Sequence, residues 1–443
     1  MYLLLLKSNM FICLYIFILP VLMTASLVYA DQTMSKHNFS FHGYTRINLS
    51  MSENGSTPAH FYVPGAGAKY RLGNESDLLV RLRLNYVNGN EHGTEPYIKA
   101  VVAAHGYQLN GNTSDFNLHK IPKAYIEFGN YLGKDINVWL GRRWYERKGS
   151  YINDYWWLNS GQWAQAGIGV EGVRLAGGEF KASIFSFEDT NITNINSENS
   201  DNTVMGTLNS NTLDFRLVDI DLNQNTKINF WALYALRYEN KDIDYEYKNG
   251  FGLGMWFDSQ EILGGKNTLA LTYRTGAAMH KRTTNAIPVN ETMGYNLDNS
   301  SIWEVNNTWT WDNKDSHALQ WVMLARSENF GKDGSSGDTI DWYSTGIRPI
   351  YYLTQYLNIA TELGIDYVDN EIIGASGSLT KLSLALQLSP TKGFMSRPVM
   401  RLYITYAKWS DAWIGYIGNQ PDGAPYGDSN HGWVLGAQLE HIW

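Results

Sequence analysis

Residues 78–86 read LLVRLRLNY (Leu78–Tyr86). Leu78, Val80, Leu82, Leu84 and Tyr86 share one parity, while Asp77, Arg81, Arg83 and Asn85 share the other. A strand sends successive side chains to opposite faces, so this stretch reads as a strand with one apolar and one charged face.

The same period recurs outward from it. Ile228, Phe230, Ala232, Tyr234, Leu236 and Tyr238 alternate in one segment, and Leu269, Leu271 and Tyr273 oppose Thr268, Thr272 and Arg274 in another. Met400, Leu402, Ile404 and Tyr406 oppose Arg401, Tyr403 and Thr405. Trp433, Leu435, Ala437, Leu439 and Trp443 oppose Gln438 and Glu440 at the end of the chain. Asp135–Leu140 is strand-like as well. Beyond residue 30 no apolar run approaches the ~18 residues that a membrane helix needs. Although 44% of the residues are hydrophobic, the mean hydropathy is −0.31, so apolar residues are dispersed rather than blocked.

Alternation fits two architectures. A soluble sandwich points the apolar face into a core, whereas a transmembrane barrel points it at lipid and the polar face at a wet lumen. Periodicity alone does not separate them. Three features favour the membrane. The apolar faces end in aromatic residues, as interfacial girdles do. Very short connections such as Gly264-Gly265 alternate with long polar ones, Thr190–Asn211, Arg282–Ser300 and Ser327–Asp338. The chain also ends on an aromatic residue within a strand. Lipid offers no hydrogen-bond partner, so without helices only a closed sheet satisfies the backbone. At ~10 residues per strand, ~16–18 strands leave ample chain for turns and loops.

Met1–Ala30 has the layout of a secretory signal peptide. It has one charge (Lys7), an apolar stretch Met10–Leu27 and a small-residue cleavage site Val28-Tyr29-Ala30. A retained membrane anchor is the competing reading. With that leader removed, residues 31–443 form a single barrel domain. The only cysteine, Cys13, lies in the leader, so the mature chain has no disulfide and no thiolate site. No cofactor and no metal site is expected. The formal net charge of −8 argues against nucleic acid, whose phosphates need a basic face. No Gly-x-Ser-x-Gly or His-Glu-x-x-His motif occurs, and an enzyme is not expected.

One segment breaks the strand pattern. Arg142–Gly161, RRWYERKGSYINDYWWLNSG, carries four basic residues, two acids and six aromatic rings. It has no helical period. Charge and flat rings on one irregular segment suit a loop folded into the mouth of a barrel, narrowing it around a sugar.

Several further stretches, taken in order, carry a resemblance. They are His42-Gly43-Tyr44-Thr45-Arg46, Lys69-Tyr70-Arg71-Leu72-Gly73-Asn74-Glu75, Tyr145-Glu146-Arg147 with Ile152-Asn153-Asp154-Tyr155-Trp156-Trp157, Gly346-Ile347-Arg348-Pro349-Ile350-Tyr351, Ser396-Arg397-Pro398, Thr405-Tyr406-Ala407-Lys408-Trp409 and Gly436-Ala437-Gln438-Leu439-Glu440. Together they resemble the maltoporin family of sugar-specific channels of the bacterial outer membrane. The resemblance implies an all-β, 18-stranded antiparallel transmembrane barrel with an inward-folded third loop, assembled as a homotrimer in outer-membrane lipid. It also implies passive diffusion of oligosaccharides along a lumenal line of aromatic residues facing a polar track.

Carried over by position, Tyr44 matches an aromatic of that line. Phe116 falls where the family has a tryptophan on the inter-subunit loop, and Trp156 falls at the constriction tyrosine. Arg46, Arg71, Arg147 and Asp154 match the polar track. Leu79, Met395 and Ile442 stand where the line has a tyrosine and two tryptophans. Arg81 replaces a track carboxylate, Gly149 an aspartate and Tyr125 an arginine. The aromatic in the middle of the line falls at Gly254 or Trp256. These departures predict a carbohydrate channel of altered selectivity. Two alternatives remain open at this point: a general diffusion pore with little sugar selectivity, and a carbohydrate-binding adhesin or lectin.

Overall fold

The computed structural model describes residues 37–443 except 54, 56–57, 110–116, 163, 194–203, 238–248, 280–298, 332–338 and 419–424. Strands dominate it. In chain order they are β1 (His37–Ser52), β2 (Asp77–Asn88), β3 (Tyr97–Leu109), β4 (Asn117–Gly129), β5 (Asn137–Arg142), β6 (Lys148–Ser150), β7 (Tyr155–Leu158), β8 (Ala166–Leu175), β9 (Gly178–Thr193) and β10 (Val204–Asn223). Then follow β11 (Thr226–Arg237), β12 (Gly250–Ile262), β13 (Gly265–Thr275), β14 (Ser301–Asp312), β15 (His317–Asn329), β16 (Thr339–Tyr352), β17 (Leu357–Asn370), β18 (Ala375–Leu388), β19 (Val399–Trp409) and β20 (His431–Ile442). Eighteen of them form one antiparallel sheet, and β6 with β7 forms a separate hairpin. The last strand pairs with the first, Tyr44 opposite Ile442 and Ser52 opposite Val434. That pairing closes the barrel and satisfies both edges, so the soluble-sandwich reading does not hold.

The expected face alternation is present in the wall. In β19 every second residue is buried. Leu402 is 58% exposed on the outside while Thr405 is 0% exposed inside. Leu439 and Ile404 also face outward. Aromatic residues mark two levels of that outer face. Tyr343 and Tyr367 pair near one end of β16 and β17, while Tyr351 and Tyr356 lie exposed at the other. Tyr343 and Tyr351 are ~26 Å apart along the strand at ~3.3 Å per residue, the scale of the ~25 Å apolar band of such barrels.

Three sequence expectations are corrected. Asp135 lies in a turn with φ of 67°, and the strand begins at Asn137. Within Thr190–Asn211, Thr190–Thr193 belongs to β9 and Val204–Asn211 to β10, paired from Thr193 with Val204 downward, while 194–203 lie outside the described residues. These residues read as loop because their sequence is polar and carries no alternating apolar set. The inner face is also not polar throughout. Phe61, Val63, Tyr70 and Leu72, from the connection between β1 and β2, form an apolar cluster with Val368, Ala385, Tyr403 and Trp409 of the inner wall.

Candidate functional site

Among the described residues, two long loops enter the barrel. The third, residues 143–165, leaves the wall at Gly141, where φ is 130° and a Cβ would lie 2.2 Å from the Ala124 carbonyl oxygen. Only glycine tolerates that turn against the neighbouring strand. The loop is then tied down at several points. Arg216 pairs with Asp214 at 2.8 Å and donates to the carbonyls of Tyr145 and Glu146. Arg274 donates to the Trp157 carbonyl at 2.6 Å. Trp139, Tyr145 and Phe185 pack together beneath it. The expected inward fold of the third loop is therefore found.

The first loop was not anticipated. Its Tyr70 ring lies on the cross-strand pair Gly346 and Gly364, where a Cβ on either would come within 2.0 Å of ring carbons. The Tyr70 hydroxyl bonds to Ser344 Oγ at 2.9 Å. Leu72 donates its N–H to Glu362, and Lys381 donates to the Leu72 carbonyl. Glu362 is itself held by Arg348 and Lys381. The two loops meet where the Arg71 N–H donates to the Ile152 carbonyl at 2.9 Å.

A buried ionic cluster lies at that meeting point. Arg46 pairs with Glu75 at 2.6 Å and with Asp77, and Arg71 pairs with Glu75 at 2.6 Å and with Glu440 at 3.5 Å. Arg397 and Arg401 each reach Glu440 at 2.9 Å. The Tyr44 hydroxyl donates to Glu440, and the Tyr151 hydroxyl does the same at 2.9 Å. Burial alone would raise the Glu75 carboxyl, but Arg46 and Arg71 together hold it down at about 2.

A second group runs from the wall along the loop. The Arg81 guanidinium lies 5.8 Å from the Tyr44 ring and 4.9 Å from the Trp144 ring. Arg147 lies 4.3 Å from Trp144 and 4.1 Å from Trp156. Trp156 donates from Nε1 to Asp154 at 3.2 Å. Rings and guanidiniums thus alternate from the wall to the loop tip, in the contacts expected of cations over aromatic faces.

The positions singled out from the sequence divide accordingly. Arg46 and Arg71 are buried in the ionic cluster, and Tyr44 joins the cluster to the cation–aromatic row. Arg147, Asp154 and Trp156 belong to that row. Trp157 is the loop anchor, packed on Trp256 with ring centroids 5.6 Å apart. Leu79 faces inward and is buried beside Arg46. Ile442 faces the lumen opposite Tyr44 but is half exposed. Met395 is 52% exposed in the connection between β18 and β19, next to Phe394, which packs on Tyr151. Phe116 lies outside the described residues. Of the two mid-line candidates, Trp256 points inward and is covered by Trp157, with the Lys148 ammonium 5.6 Å from its ring. Gly254 sits beside Trp231. Tyr125 lies 5.1 Å from the Arg143 guanidinium. Sequence reading missed Trp144 and Tyr151 as parts of the site, although both lie within the aromatic segment. It also missed Arg83 and Lys123, which strand parity places on the inner face.

Among solved structures, the chain is similar to OccAB1 of Acinetobacter baumannii at 12% identity, covering 94% of this chain and 98% of that one, with a TM-score of 0.48. It is similar to OccD3 (OpdP) of Pseudomonas aeruginosa at 14% identity, 91% coverage of both chains and a TM-score of 0.45. It is also similar to the outer-membrane channel DcaP of A. baumannii at 11% identity, with 91% and 97% coverage and a TM-score of 0.46. The LamB porin family model matches residues 39–443, nearly the whole chain. The chain belongs to the LamB porin family and is a β-barrel channel of the bacterial outer membrane.

Proposed function

We propose that this porin conducts oligosaccharides by passive diffusion, binding them weakly along the cation–aromatic row. The observation that carries this reading is the unbroken order Tyr44, Arg81, Trp144, Arg147, Trp156, Asp154 across the pore. A sugar ring offers an apolar C–H face to an aromatic ring and hydroxyls to charged groups, and charge-assisted bonds are the stronger kind. Transport requires binding favourable enough to enter and weak enough to leave, which a row of small contacts supplies. Arg46 and Arg71 act in this scheme by fixing the loops, because both are already saturated by carboxylates. Leu79, Ile442 and Met395 contribute apolar surface without a flat face, and Phe116 is proposed to stack at the outer mouth or on a neighbouring subunit.

The chain is proposed to act as a homotrimer with one pore per subunit, and Met1–Ala30 to be removed on export. Crosslinking in native membranes should give a three-chain product, and the intact mass should begin at Asp31. The sugar reading is tested by single-channel conductance in planar bilayers during titration with an oligosaccharide panel. Concentration-dependent block supports it, and block by none of the panel sinks it. A second reading, a general diffusion pore, draws on the guanidiniums that already occupy the Trp144 and Trp156 faces. It predicts conductance insensitive to every added sugar.

A further inference from the structure

Most lumenal cations in this barrel have a carboxylate partner. Arg46, Arg71, Arg143, Lys181, Arg216, Arg326, Arg348, Lys381, Arg397 and Arg401 all lie within salt-bridge distance of an acid. Arg274 is held by the Trp157 carbonyl instead, and a patch of wall on β2–β4 differs in gathering three cations together. Arg81 and Arg83 sit two positions apart on the inner face of β2, and Arg83 and Lys123 flank Ala103 of β3 from either side. Among the described residues none of the three has a carboxylate within 4.0 Å. Arg81 donates instead to His105 Nδ1 at 3.2 Å. The Nε of Arg83 is buried without a hydrogen-bond partner.

The inner-face neighbours in register are His42, Tyr44, Leu79, Asn85, Val101, His105 and Tyr125, none of them acidic. Lys123 stands in the repulsive field of Arg83, Arg147, Arg143 and Arg81. Asp154 acts on Arg81 only from beyond 4.0 Å and accepts from Trp156, while Glu127 is held by Arg143 and Tyr97. Like charges held together with no carboxylate in contact among the described residues are unfavourable in the empty channel, and an arriving anion relieves the repulsion. A cleft lined with one sign of charge also focuses the field and concentrates the opposite sign.

We propose that the pore selects acidic oligosaccharides, whose ring carboxylates are held by Arg81, Arg83 and Lys123 while the sugar rings pass along Tyr44 and Trp156. The proposal rests on the saccharide reading above and adds the charge of the substrate. A guanidinium fork suits a carboxylate, to which it can donate two parallel bonds. A neutral saccharide makes the same ring contacts but leaves the Arg83 donor unmet, which is the physical source of discrimination.

The test uses the full-length porin in planar bilayers at about 0.1 M salt, where the Debye length is ~10 Å and surface charges further off are screened. The probes are a tri-uronate and its fully methyl-esterified form, which differ in charge but not in backbone. The acid is expected to block at a concentration at least ~10-fold lower than the ester, about 1.4 kcal/mol of preference. In the double substitution Arg83→Gln, Lys123→Gln that ratio should fall below about twofold. Reversal potentials across a potassium chloride gradient should show anion preference in the native chain. Equal block by acid and ester overturns the proposal, and the comparison needs no variant. Anion preference for chloride without preference for the acid overturns it as well, leaving a screening patch and no saccharide site. Block by the ester alone overturns the proposal while sparing the saccharide reading. Block by neither probe nor any neutral sugar removes both.

Discussion

Glu75 shows how much rests on one buried side chain. It neutralises Arg46 and Arg71 at once and so joins the first loop to the wall. Removing one partner of a buried pair costs about 3–5 kcal/mol. Glu75→Gln should fall toward the low end, because Asp77 and Glu440 still serve the two arginines. The expected outcome is a first loop that proteases cut in the variant and spare in the native chain. The same carboxyl gives a pH dependence. Its folded value of about 2 lies below the ordinary 4.5, so its stabilisation is complete above pH ~4.5 and is lost as pH falls toward ~2. Conductance should be steady above that window and noisier below it, and Glu75→Gln should abolish the transition. At the loop tip, Trp156→Ala removes a half-buried ring on which Arg147 rests. Single-channel ion conductance should rise, and unchanged conductance would place Trp156 outside the narrowest point.

Among the elements, the first loop and β16–β17 fit each other through absent side chains. Tyr70 occupies the space that Gly346 and Gly364 leave open. Gly346→Val should expel the ring, release the loop from Ser344 and raise conductance, while the barrel itself still forms. Heat-modifiable migration on a gel checks the barrel, and conductance checks the loop. The strands obey a different constraint. Ile404 lies on the outer face of β19, and Ile404→Arg should cost about 2–4 kcal/mol near the bilayer midplane, read from denaturant unfolding in lipid vesicles. The alternation of β2, β11, β13, β19 and β20 was legible because a half-buried strand must repeat every second residue. The ladder between Thr193 and Val204 was not, since no apolar face marked it.

For the whole molecule, closure of the sheet turns a local pattern into a membrane protein. Leu402, Ile404 and Leu439 face outward, and Glu362, Lys381 and Arg401 face inward. Without the β1–β20 pairing both edges would remain unpaired in lipid. The interior is then divided. Beside β16–β19 it is a dry core around the first loop, and along β1–β4 it holds Arg81, Arg83 and Lys123.

The chain's order of residues by itself determined the alternating strands, favoured the sense of the wall and marked the aromatic, charged loop that enters the pore. Each follows from near-neighbour periodicity or composition, which a linear reading contains. Tertiary structure alone decided that the first loop packs inside the barrel against β16–β19 and that, among the described residues, Arg46 and Arg71 are spent on internal ion pairs while Arg83 and Lys123 are not. Those outcomes depend on groups hundreds of positions apart, such as Tyr70 with Gly346 and Arg71 with Glu440. Whether a charge meets its partner is fixed by barrel register and loop path, which no local pattern encodes.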